Sequence, residues 1–286
     1  MIPSVQVTSA TPSRGKQSLI KNKLVTEEEL RAYARCSEFS YRGGRVELPI
    51  KTAIIEFAYI RLVLNMLRNQ TFDYRFELNQ VLRSAYKHLG VANVSPEEIQ
   101  ELIRTAAIGV DELFKTIPPN LYIPIFGAFE FPVKVSKSTT MLRVSSILTT
   151  KRSLNQGAPA NDPDYRARTL HAVTFSPYHV VRDMEADIVQ QVKALTLGSA
   201  NPVRMGNDKP RVRLHIFSAK QNPAEVGLHY TYIEHRTPID FTAWGKYLEQ
   251  PIKQLESQYH YPLTPCPYAC PFRATCQPDP FITRGL

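Results

Sequence analysis

Several familiar signatures are missing from this chain of 286 residues. No apolar run approaches the ~20 residues that a membrane span needs, so no membrane partner is expected. No basic-then-apolar leader opens the sequence. The expected compartment is therefore the cytoplasm, of a cell or, for a viral protein, of its host. There is no Walker loop and no G-x-G-x-x-G, which argues against nucleotide-driven work. No G-x-S-x-G elbow surrounds Ser145 or Ser146, which argues against a hydrolase triad. The 7 histidines show neither H-x-H nor HExxH spacing. His171, His215, His229 and His235 read as hydrogen-bonded or exposed side chains of a sheet. No internal repeat and no clear domain boundary are visible. Cysteine occurs only 4 times.

What is present is ordinary in bulk and unusual in charge. Hydrophobic residues make up 43% and charged residues 21%, as in a globular protein with a core. The formal charge is +9 and the pI is near 9.4, which favours an anionic partner such as DNA. Residues 1–25 carry Arg14, Lys16, Lys21 and Lys23 with no acid among them, and read as a flexible basic arm. The remainder, 26–286, reads as one domain ending in a cysteine loop at 262–280.

Periodicity supplies the elements. Thr26 and Glu29 form a capping box that opens a short helix, "EEELRAYARC", which delivers Cys36. "LPIKTAIIEFAYIRLVLNMLRN" is apolar almost all round and reads as a buried helix. A further helix covers about 75–88. Ser95, Pro96 and Glu98 open another that runs to about 115. "LYIPIFGAFEFPVKVS" and "TTMLRVSSILTT" read as a hairpin, and "LHAVTF" as a third strand. Ser176-Pro177 is expected to start a helix with Val180, Val181, Met184, Ile188, Val192 and Leu195 on its apolar face. "RVRLHIFSA" and "GLHYTYIEH" alternate as two more strands, and 241–259 reads as a helix interrupted by Pro251. The expected class is α/β (α+β), with a mixed central sheet flanked by helices.

On the strand "RVRLHIF", Arg211, Arg213 and His215 share one face. Tyr230 and Tyr232 share a face of the next strand. Arginines beside aromatic rings can track a nucleic-acid strand by charge and stacking, although a solvated sheet face with ordinary cross-strand pairs has the same pattern.

Three cysteines, Cys266, Cys270 and Cys276, fall within "PCPYACPFRATCQPDP". This loop is too rich in proline and too poor in core residues to bury three thiols by packing. Structural zinc usually takes paired C-x2-C knuckles, and the spacing here is C-x3-C-x5-C. A four-iron cluster accepts unequal spacing plus one remote ligand, which Cys36 supplies. The expected cofactor is a 4Fe-4S cluster, with zinc as the alternative. Such a cluster closes a ring of about 230 residues, worth on the order of 5 kcal/mol in closure entropy. That makes it a structural staple joining the N- and C-terminal elements.

This pattern resembles the iron–sulfur branch of the PD-(D/E)XK nucleases, which includes AddB-type subunits and CRISPR-associated RecB-like exonucleases. "YARCSEFSYR" looks like the branch's first cysteine helix, and "PLTPCPYACPFRATC" like its closing loop, with C-x3-C where C-x2-C is more usual. The order helices, hairpin, helix, strands, helix agrees. The resemblance implies a magnesium site: a His on the helix after the first cysteine, an Asp on one hairpin strand, and an acid with a Lys two residues on in the next. Here the helix has no His and one acid, Glu56, which is expected to face solvent. The first strand offers only Glu130, with Pro132 and Val133 nearby. In the second, Ser146 and Leu148 stand where the acid and Lys belong. A migrated site would have to draw on Asp162, Asp164, Glu185 and Asp187, of which the last two diverge on a helix. The resemblance thus implies a nuclease-like protein without its catalytic residues. It would bind DNA, single-stranded DNA included, or a protein partner in DNA processing. The alternatives are an active metal-dependent exonuclease with a rearranged site, and an assembly scaffold that does not touch DNA.

Protein purified without oxygen is expected to be brown, with about four irons per chain. Cys36→Ala should cost the fold as much as Cys276→Ala. A colourless sample with one zinc per chain, or an intact cluster in Cys36→Ala, would exclude this ligand set.

Overall fold

The computed structural model describes residues 24–35, 43–68, 95–135, 138–150, 169–200, 212–222 and 225–235. Among them, six strands form one mixed sheet with helices on both faces. The elements in chain order are β1 (Leu24–Val25), α1 (Glu27–Arg35), α2 (Ile50–Leu67), α3 (Pro96–Thr116), β2 (Tyr122–Val135), β3 (Ser138–Thr150), β4 (Leu170–Phe175), α4 (Val181–Ala186), α5 (Ile188–Ala200), β5 (Val212–Ala219) and β6 (Leu228–His235). The sheet order is β1-β3-β4-β5-β6, with β2 also paired to β3. β2–β3, β3–β4 and β5–β6 are antiparallel, while β1–β3 and β4–β5 are parallel.

The caps were legible. The Thr26 hydroxyl accepts from the Glu29 N–H at 3.2 Å, and the Glu29 carboxylate accepts from the Thr26 N–H at 3.1 Å. Ser95 and Glu98 repeat this reciprocal pair at the start of α3. Leu24 and Val25, at the end of the expected arm, form β1 against Thr139 and Thr140. The helix expected at Ser176 starts later, at Val181. The Ser176 hydroxyl accepts from the Tyr178 N–H in a turn instead. Val180 and Val181 are exposed, whereas Met184, Ile188, Val192 and Leu195 are buried as expected. The helix also breaks at Asp187, whose carboxylate accepts from the Val189 N–H at 3.0 Å and so caps α5.

Two cores lie on opposite faces of the sheet. On one, α1 and α5 bring Leu30, Val189, Val192 and Leu197 against Leu142, Ala172 and Leu214. On the other, α2 and α3 bring Ile55, Tyr59, Val110 and Leu113 against Leu148, Val173, Phe175 and Phe217. The helix expected at 75–88, the one expected at 241–259, the arm residues Arg14, Lys16, Lys21 and Lys23, and the cysteine loop lie outside the described residues.

The turn into β6 depends on Gly227. Its φ is +123°, and a Cβ there would meet the Glu112 carboxylate at 2.6 Å. That carboxylate accepts from the Leu228 N–H at 2.6 Å and ties α3 to β6. Gly227→Ala is expected to destabilise the fold by about 1–3 kcal/mol in urea titration. A change below about 0.5 kcal/mol would show that the turn relaxes freely.

Candidate functional site

The sheet is incomplete along one edge of β3. β1 pairs with β3 at 139–140 and β4 at 146–148, so residues 141–145 have no strand on that edge among the described residues. A backbone N–H in such a gap needs another acceptor. The Glu27 carboxylate supplies it, accepting from the Arg143 N–H at 2.6 Å. Its other oxygen receives the Lys193 ammonium at 2.9 Å and the Arg31 guanidinium at 3.2 Å. Arg31 also donates to Asp187 at 2.9 Å, and Lys193 to the Thr174 hydroxyl at 3.1 Å. Burial opposes ionisation of Glu27, but Lys193 and Arg31 outweigh it and hold the carboxyl below its ordinary range. Burial pulls the Lys193 ammonium below its ordinary pKa, and Glu27 opposes that shift.

α2 closes the same gap from the other side. Glu56 was expected to face solvent. It is instead 7% exposed and accepts from the Ser145 hydroxyl at 2.7 Å and from Arg143 at 3.2 Å. One turn on, the Tyr59 hydroxyl lies 2.6 Å from that of Ser146. Neighbouring residues of a regular strand face opposite sides, so Ser145 and Ser146 cannot both reach one helix without a local irregularity. Opposite them, Ala128 adopts φ +49° between the pairs Gly127↔Ser146 and Phe129↔Val144. β2 is thus irregular beside Ser145 and Ser146, and its register against β3 also shifts between Pro124 and Phe126. Burial pushes the Tyr59 hydroxyl well above its usual pKa, so it stays protonated.

The candidate catalytic positions separate from one another. Glu130 is exposed on β2, opposite Arg143. Leu148 is core. Glu185 accepts from the Thr231 hydroxyl, whereas Asp187 turns to Arg31, so this pair diverges as expected, although Asp187 sits at the break between α4 and α5 and not on one helix with Glu185. Asp162 and Asp164 lie outside the described residues, as do Cys36, Cys266, Cys270 and Cys276. α1 ends at Arg35, one residue before Cys36.

On the α2–α3 face of the sheet, β4, β5 and β6 carry a continuous polar and aromatic row. His171 Nδ1 lies 3.0 Å from His215 Nε2, and His215 Nδ1 lies 2.9 Å from the Tyr230 hydroxyl. Tyr122 meets His171 edge-on at 4.9 Å. The sequence placed these histidines in the sheet without showing that two of them join. The signal was their register: His171 pairs with Arg213 and Val173 with His215, so the two histidines are diagonal neighbours on one face of parallel strands. Burial, with Arg213 nearby, lowers His171 to about 4. Burial, with His171 and Arg213 nearby, lowers His215 to about 3. Burial pushes Tyr230 up to about 12.

Arg213 and Tyr232 also share this face, and the Arg213 guanidinium lies 4.9 Å from the centre of the Tyr232 ring. Arg213 donates to Glu234 through Nη2 at 2.5 Å and Nε at 2.9 Å. The hydrogen bonds and charge of Glu234 outweigh burial and raise the Arg213 pKa. Arg211 lies outside the described residues.

No family profile and no curated protein matches the chain. Among solved structures, one described as "Crystal structure of SSO0001" matches 76% of this chain and 93% of its own at 13% identity and a TM-score of 0.29. The described residues contain no helix long and apolar enough to cross a membrane.

The two histidines set a pH dependence. Unfolded imidazoles titrate near 6.5, so between there and about 4 the unfolded chain binds more protons than the folded one. Stability should fall by a few kcal/mol as pH drops through that window. Most of the fall lies above the range in which carboxylates such as Glu27 titrate. In the double variant His171→Gln, His215→Gln, urea midpoints at pH 6.5 and 5 should nearly coincide. An equally steep loss in the double variant would place the proton uptake elsewhere.

Proposed function

We propose that this chain is a nuclease-fold protein that has given up hydrolysis and binds DNA, with Cys36, Cys266, Cys270 and Cys276 holding a 4Fe-4S staple between its ends. The observation that carries the non-hydrolytic part is the pairing at the β3 gap. Hydrolytic magnesium sites converge oxygen ligands with spare negative charge on an open position. Here Glu27, Glu56 and Asp187 are met by Lys193, Arg143 and Arg31, each carboxylate within hydrogen-bonding reach of a cation of the chain itself. The hairpin contributes Ser145 and Ser146, whose hydroxyls are engaged with α2. DNA binding is supported by the +9 charge and by the exposed ring of Tyr232 on β6.

The scaffold reading also has an observation in its favour. Arg213, a candidate phosphate contact, is bound to Glu234, and this pair adds no net charge to the face. Nuclease and binding assays separate the readings. Labelled single-stranded DNA should survive incubation with magnesium or manganese. It should bind with an affinity that falls steeply as salt rises, with a shallower slope when residues 1–23 are deleted. Metal-dependent cleavage lost in Glu130→Ala or Glu56→Gln would establish the exonuclease instead. Absence of binding at low salt would favour the scaffold.

A further inference from the structure

We infer that Tyr232 is a stacking platform for one unpaired base, and that the Arg213–Glu234 pair beneath it is its support and not a phosphate contact. This rests on the DNA-binding reading and specifies how one face of the sheet would take part in it. Tyr232 is 48% exposed on β6, a strand with no neighbour on its outer side among the described residues. The guanidinium at 4.9 Å from the ring centre is fixed by two hydrogen bonds to one oxygen of Glu234, whose side chain is largely buried. The Tyr230 ring, 6.4 Å away and tilted by 32°, braces it from the neighbouring position on the same face. Tyr230 is in turn hydrogen-bonded to His215.

A ring held in this way has already lost its rotamer freedom, so a ligand stacking on it pays little further ordering entropy. Every nucleobase has a flat π-face that can stack on an aromatic ring, whatever its identity. Duplex DNA hides its base faces in the stack, whereas a single strand offers them. The occupant is therefore single-stranded DNA, attracted over longer range by the net positive charge of the chain.

The charge and the ring should then separate experimentally. Binding of an oligothymidylate of about 15 nucleotides would be measured at several salt concentrations for the full chain, Tyr232→Ala and Tyr232→Phe. Tyr232→Ala is expected to weaken binding about tenfold or more, with the slope of log affinity against log salt unchanged. Tyr232→Phe should stay within about twofold, because the π-face remains. Thermal melts matching the parent would show that both variants fold, and a misfolded Tyr232→Ala leaves Tyr232→Leu to make the same comparison. If the parent binds and Tyr232→Ala binds equally well, the platform is overturned while the DNA-binding reading stands. Duplex of the same length bound as tightly as the single strand would also overturn it. If the parent binds no DNA, both fall.

Discussion

Where β1 and β4 fail to meet along β3, a stretch of backbone lacks a neighbouring strand among the described residues, and the Glu27 carboxylate fills that place. A carboxylate there satisfies the Arg143 N–H but brings a charge that is itself expensive to bury. Lys193 and Arg31 make that charge tolerable, and Arg31 then requires Asp187. Asp187 is also the residue at which α4 gives way to α5, so the same carboxyl group pairs with Arg31 and starts the helix that carries Lys193. The requirement of one edge thus fixes the relative positions of α1, α5 and β3. Buried ion pairs of this kind contribute little compared with apolar packing, yet losing one member strands the others. The network specifies the arrangement more than it strengthens it.

Glu56 extends this logic to chemistry. The Glu56 carboxylate on α2 is directed at β3, where it accepts from Ser145 and Arg143. A hydroxyl at position 145 donates to Glu56, whereas an acid there would repel it unless a cation lay between. Ser145, Arg143 and Glu56 are therefore mutually consistent, as are Glu27 and Lys193. Opposite Ser145 and Ser146, Ala128, a non-glycine residue, holds φ +49° between the pairs Gly127↔Ser146 and Phe129↔Val144. That geometry costs about 1 kcal/mol or more, and it brings Ser145 and Ser146 to α2 together.

Local rules read much of this architecture from sequence. Both capping boxes, the all-round apolar helix, the long hairpin and the alternating strands are set by side-chain period and by neighbours three or four residues apart. Contacts between distant segments were not legible. Glu56 looked solvent-facing because a lone acid on an apolar helix usually is, and only the approach of β3 gave it partners 87 and 89 residues away. The break at Asp187 was hidden because hydrophobic spacing continues through it, while its cause is Arg31, 156 residues distant. The His171–His215 contact depended on strand register, which composition does not encode.

Arg213 shows why charge counting misleads at a surface. In sequence it is one of 35 cations beside two tyrosines. In the fold, Glu234 holds it, and the pair presents little net field to a phosphate. Its effect passes to the ring above it, which it both orients and polarises. An arginine spent in this way trades a long-range, salt-sensitive attraction for a short-range one that salt barely screens. Under the proposed reading, selectivity for a flat unpaired base and attraction for a polyanion would therefore be separate properties. The first would belong to Tyr232 and its support, and the second to the net charge of +9.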